Sequence, residues 1–202
     1  MNPLIVEAIE ALRSAGWTVK VNGKPQPLPA SVVSRHSRLP GLAVEFFTNI
    51  QSCVEPKEGA WFLASEDFAR TDGFHWDEYE RMVLEDADED QAQEVRAFWD
   101  GYLPIFQLVE GDYEYLALGT DPSSRHFGKV VWNAEAAYEN PLVIADSYED
   151  FLVRLRDVAR RDPRRASSSD MTIARLIHED FEDVVQQSWW THLKGWFGSS
   201  RR

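Results

Sequence analysis

Leu103-Pro104-Ile105-Phe106-Gln107-Leu108-Val109-Glu110-Gly111-Asp112-Tyr113-Glu114-Tyr115-Leu116-Ala117-Leu118 is the stretch on which the architecture turns. Two runs rich in aliphatic and aromatic residues flank Glu110-Gly111-Asp112, a turn signal, so the segment reads as a β-hairpin. Lys129–Trp132 and Leu142–Ala145 read as further strands. Asp146-Ser147-Tyr148-Glu149 then opens a helix with Asp146 or Ser147 as its cap, and Phe151, Leu152, Leu155 and Val158 form its apolar stripe.

Upstream of the hairpin the pattern is mostly helical. Leu4, Ile5, Ala8, Ile9 and Leu12 recur at helical spacing, with Gly16 as the stop. Trp17-Thr18-Val19-Lys20-Val21 is a β-rich run closed by Asn22-Gly23, and Pro25, Pro27 and Pro29 stiffen the connector that follows. Residues 30–38 read as a short helix, and a second helix begins at Leu39-Pro40 and runs through Val44, Phe46, Phe47 and Ile50. Ala60–Ala64 reads as a buried strand, and residues 76–99 as one long acidic helix or a helix pair. Helices, then an antiparallel meander, then a closing helix define an α+β protein. The expected organisation is an N-terminal helix and ribbon over residues 1–27, packed on a main domain of residues 28–162. A linker and an amphipathic C-terminal helix over residues 163–202 complete it. There is no internal repeat.

Composition narrows the function. The chain has 202 residues, 44% of them hydrophobic and 12% aromatic, too many for a disordered chain. A single cysteine excludes a disulfide framework and a thiolate zinc cluster. No apolar run approaches the roughly 20 residues of a membrane span. Met1-Asn2-Pro3-Leu4, followed by Glu7 and Glu10, lacks the basic start of a secretory signal, so a cytoplasmic protein is expected. The 34 acids and 21 Lys and Arg give a net charge of −13, which argues against direct nucleic-acid binding. Residues 75–121 hold 14 acids and only Arg81 and Arg96, a net of −12, so nearly all of the imbalance sits in one quarter of the chain.

The chemistry-bearing motifs mostly fail. Asp86-Ala87-Asp88-Glu89-Asp90 has the alternate-acid opening of a calcium loop, but Gln91 and Ala97 stand where that loop needs Gly and Glu. Gly128-Lys129 lacks both the upstream glycine of a phosphate loop, replaced by Ser123, and the following hydroxyl, replaced by Val130. His36, His75, His126, His178 and His192 show no metal-binding spacing, and no nucleophile-elbow motif supports a serine triad. Cys53 reads as a buried structural thiol. Neither cofactor nor metal is expected. Trp61, Trp76, Trp99 and Trp132 read as core. Trp189, Trp190 and Trp196 end the last helix at positions one face cannot share, so they dock on the main domain, on a second copy in a homodimer, or on a partner. Glu179, Asp180, Glu182 and Asp183 on that helix argue against a membrane surface.

An ordered set of pieces resembles a bacterial branch of the SUKH superfamily, relatives of the fungal cell-wall-synthesis regulator. The set comprises Leu28-Pro29, Phe46-Phe47, Gln51-Ser52-Cys53-Val54-Glu55-Pro56, Trp61-Phe62-Leu63 and Phe74-His75-Trp76-Asp77-Glu78-Tyr79-Glu80. It continues with Phe98-Trp99-Asp100-Gly101-Tyr102-Leu103-Pro104-Ile105, Tyr113 and Tyr115, Gly128-Lys129-Val130-Val131, and Ser147-Tyr148-Glu149-Asp150-Phe151-Leu152. The resemblance spans about residues 28–160. It implies a twisted sheet flanked by helices and no catalytic centre. Bacterial members are similar to immunity proteins that bind and neutralise cognate toxin domains, many of them nucleases; the fungal branch looks like an interaction scaffold.

The expected function is therefore non-enzymatic: a cytoplasmic immunity protein that blocks a basic protein toxin through an acidic surface. Asp77, Glu78, Glu80, Glu85, Asp86, Asp88, Glu89 and Asp90 would supply the charge, because a phosphate-handling site is basic. Tyr79, Trp76 or a C-terminal tryptophan would supply an aromatic anchor. The alternative is a regulatory or scaffold module with no toxin partner, followed by an enzyme using Cys53 or a histidine.

Overall fold

The computed structural model describes residues 1–109, 113–134 and 137–163. Within them, seven strands form one sheet in sequential order, and every pairing is antiparallel. The strands are β1 (Thr18–Val21), β2 (Ile50–Val54), β3 (Ala60–Phe62), β4 (Tyr102–Leu108), β5 (Tyr115–Gly119), β6 (Val130–Asn133) and β7 (Leu142–Ala145). The helices among the described residues are α1 (Pro3–Ser14), α2 (Ala30–Arg35), α3 (Gly41–Asn49), α4 (Ser65–Ala69), α5 (Glu78–Asp86), α6 (Glu89–Gly101) and α7 (Tyr148–Arg161). The α+β expectation holds. The expected C-terminal amphipathic helix, with its homodimer option, lies outside the described residues.

Local chemistry accounts for most boundaries. The Asn2 side chain accepts the Leu4 N–H, and Pro3 occupies the first position of α1. The Ser147 hydroxyl accepts the Asp150 N–H and starts α7. α2 and α3 each begin directly after a proline, Pro29 and Pro40. The acidic stretch is a pair of helices rather than one. Ala87 leaves helical geometry, and Asp88 caps the second helix by accepting the Gln91 N–H at 2.9 Å.

Two expectations need correction. Ile50 does not end α3; it is extended (φ −89°, ψ 128°), and Ile50–Val54 is a central strand between β1 and β3. The helical reading carried the aromatic run one residue too far, and pairing with both neighbours supplies the backbone bonds that a helix would otherwise make. Ala60–Ala64 pairs as a strand only through Phe62, and Ser65–Ala69 turns into the short α4.

The period-two alternation of the strands divides the core between two layers. Phe62, Phe106, Leu116, Leu118 and Trp132 belong to the larger cluster with Ile5, Ala8, Ile9 and Leu12 of α1, Phe46 and Phe47 of α3, and Phe151, Leu152 and Leu155 of α7. Phe62 is its hub, in ring contact with Trp17, Phe46, Phe106 and Phe151. On the opposite face, Tyr115, Ala117 and Val131 are covered by Tyr79 of α5 and by Val95 and Trp99 of α6. The N-terminal helix lies along α7, and β1 is the first strand of the same sheet. Residues 1–27 therefore share the main core.

Candidate protein-interaction surface

The nine residues expected at a binding face separate into three environments. Tyr79 is fully buried; its hydroxyl donates to the Leu108 carbonyl at 2.8 Å and the Glu114 carbonyl at 3.1 Å. Its ring meets Phe74 and Tyr115, and burial pushes its phenol well above the usual range. It is a core residue and offers no anchor to a partner. Glu80, 7% exposed, faces inward too, and receives both guanidinium N–H groups of Arg35 at 2.5 and 2.7 Å. Arg35 also donates through Nε to Asp100 at 2.8 Å, and this bonding holds the guanidinium pKa up. Sequence reasoning placed Tyr79 and Glu80 on the surface because charge counts carry no information about which helix face packs inward.

Asp77 and Glu78 are half-buried at the start of α5, where Glu78 accepts the His75 N–H and a donor from Arg81. Glu85, Asp86, Asp88, Glu89 and Asp90 are all exposed across the α5–α6 turn, with Glu94 one turn further. None of these six forms an ion pair among the described residues. Three of them also serve helix architecture: Asp88 is the cap, and Glu89 and Asp90 occupy the first turn of α6, where the helix dipole favours negative charge. Of the calcium-like spacing, Asp88 and Asp90 are accounted for by the start of α6, whereas Asp86 ends α5. Among the described residues, no three His, Cys, Asp or Glu side chains come together to hold a metal ion.

The groups considered for catalysis sit apart. Cys53 is buried in β2 against Phe62, and desolvation pushes its thiol up, away from the reactive thiolate. His36 is buried at the end of α2, with Nδ1 3.0 Å from the Thr120 hydroxyl, and burial lowers its pKa to about 4. His126 lies 2.6 Å from the Tyr102 hydroxyl through Nδ1 and receives Arg125 Nε at Nε2, which pins the loop before β6. Lys129 pairs with Asp146 at 2.9 Å. His178 and His192 lie outside the described residues, as do Trp189, Trp190 and Trp196.

A cleft of about 370 Å³, absent from the sequence expectations, lies on the same sheet face as α5 and α6. Its walls are the outward residues of β1–β3, the β2–β3 turn and α4. Its only advance signal was the alternation of Thr18 and Lys20 with Val19, since β2 and α4 had not been recognised as elements. No helix among the described residues is long and apolar enough to cross a membrane. No family model matches this chain, and the search of curated proteins finds no match.

Proposed function

We propose that the protein is a non-enzymatic, cytoplasmic immunity protein that neutralises a basic toxin domain by binding it through the exposed α5–α6 carboxylates. The observation that carries this reading is the run Glu85, Asp86, Asp88, Glu89, Asp90 and Glu94, exposed and without ion pairs among the described residues, on a helix pair anchored to the sheet by Tyr79 and Trp99. Unneutralised carboxylates held on a rigid support attract a cationic surface and raise association rates. The SUKH resemblance over residues 28–160 supports the same class of function.

The test first looks beside this chain's gene for a large secreted protein with a toxic C-terminal domain, and then uses that domain; a neighbourhood without one counts against the proposal. Co-production of the chain should restore growth of cells making that domain. Reversing Glu85, Asp86, Asp88 and Asp90 to lysine should abolish rescue and flatten the salt dependence of binding. Absence of rescue by the parent chain, or unchanged affinity and salt slope after reversal, overturns the proposal.

A further inference from the structure

Asparagine or aspartate followed by glycine is a dipeptide prone to backbone rearrangement, because glycine has no side chain to shield its nitrogen from the preceding side-chain carbonyl carbon. Three such pairs occur in the sequence: Asn22-Gly23, Asp72-Gly73 and Asp100-Gly101. By chemistry alone Asn22-Gly23 is the most reactive, since an amide carbon is attacked more easily than a carboxylate carbon. The fold treats the three differently.

Asn22 is held from both sides. Its side-chain nitrogen donates to the Thr48 carbonyl and the Ser65 hydroxyl, each at 2.9 Å, and its backbone N–H donates to the Asn49 carbonyl at 2.8 Å. Turning that side chain toward Gly23 breaks its bonds to both α3 and α4. Asp100 and Gly101 lie in the last turn of α6, Gly101 is buried, and the Asp100 carboxylate accepts Arg35 Nε at 2.8 Å. Ring closure there would break the ion pair and distort the helix. Asp72 and Gly73 carry no such restraint. Both are exposed in the connection between α4 and α5, and neither the Asp72 carboxylate nor the Gly73 N–H has a partner among the described residues. Gly73 sits at φ +71°, and nothing lies within 4 Å of the place a Cβ would take. Exposed connections of this kind have the backbone freedom that ring closure needs.

We propose that Asp72-Gly73 is a modification site, the one of these three pairs at which the folded chain converts aspartate to isoaspartate. The Gly73 backbone nitrogen gives up its proton and attacks Asp72 Cγ. A C–N bond forms, one carboxyl oxygen leaves as water, and a succinimide ring results. Water then opens the ring. Attack at Cγ restores aspartate, whereas attack at the Asp72 backbone carbonyl carbon leaves the chain running through the side chain. Water is the only co-reactant, lost in the first step and regained in the second. The product has an extra methylene in the backbone and a free α-carboxylate, just ahead of Phe74, whose ring meets both Trp61 and Tyr79 at 5.5 Å. The site is independent of the α5–α6 carboxylates and of any toxin they dock.

The experiment ages the full, folded chain in mildly acidic buffer. Tryptic peptides of aged and fresh samples are then assayed with an isoaspartyl methyltransferase and labelled S-adenosylmethionine. Label should accumulate in the peptide of residues 71–81, several-fold above the peptides that carry Asn22 or Asp100. Ageing in urea, which releases the Asn22 side chain, should put the Asn22 peptide first. Gly73→Val should slow labelling of the 71–81 peptide several-fold. Asp72→Ser should remove it, in a chain whose thermal melt matches the parent. More label at Asn22 than in residues 71–81 of the folded chain, equal label in all three peptides, an order that urea leaves unchanged, or label that survives Asp72→Ser overturns the proposal.

Discussion

Arg35 joins α2 to the acidic helices through Glu80 and Asp100, and Glu80 has little other solvation because its side chain is only 9% exposed. Arg35→Ala strands that carboxylate and should cost about 3 kcal/mol in urea denaturation, whereas Arg35→Met with Glu80→Leu should recover most of the loss. Two titrating residues pull stability in opposite directions. His36 has its pKa lowered from 6.5 to about 4, first by desolvation and then by Arg35. The unfolded chain binds that proton first, so the His36 contribution is whole above pH 6.5 and is lost as pH falls through 4. Asp67 is raised from 3.8 to about 6, chiefly by desolvation, so its contribution is whole below 3.8 and is lost as pH rises through 6. Each amounts to about 3 kcal/mol over its full range. Between pH 4 and 6 they oppose one another. Denaturation across that window should therefore show Asp67→Asn losing stability toward acid faster than the parent, and His36→Gln more slowly. The acidic character of the 75–121 segment could be read from the sequence, but not that Glu80 was already neutralised by a cation 45 positions away.

At the level of elements, the same acidic run contains carboxylates of opposite structural effect. Asp88 caps α6, so Asp88→Ala should lower stability by about 1 kcal/mol. Asp86 ends α5, where the helix dipole disfavours an anion, and Asp86→Ala should be neutral or raise stability by up to about 0.5 kcal/mol. Thermal melts of the two variants distinguish the roles. Glycines divide similarly. A Cβ at Gly119 would stand 2.1 Å from the His126 carbonyl oxygen, and the loop cannot retreat easily because Gly128 N–H bonds back to the Gly119 carbonyl. Gly119→Ala should cost about 3 kcal/mol. Gly41 opens α3 with nothing within 4 Å of such a Cβ, and Gly41→Ala should gain about 0.5 kcal/mol by restricting the unfolded chain. The hairpin of β4 and β5, the last two strands and α7 were readable because alternation, turn residues and a serine cap are local signals. β2 was not, since Ile50–Val54 is short and becomes a strand through its pairing with Val19, Lys20 and Phe62.

For the molecule as a whole, α1 and β1 complete the core rather than decorate it. Ile5, Ala8, Ile9 and Leu12 are buried in one cluster with Phe151 and Leu155 of α7, and Val19 pairs with Cys53. A chain starting at Leu28 should lose cooperative unfolding, because it exposes the apolar stripe of α7 and the edge of β2 at once. A two-state melt of that chain would contradict this. The class of the fold and the concentration of negative charge follow from residues close together in sequence, since periodicity, turns and composition are local properties. Which sheet face each helix covers, which carboxylates stay free, and that part of the outer face remains an open cleft depend on contacts between distant segments. A period-two strand specifies two faces but carries nothing about what will pack on either.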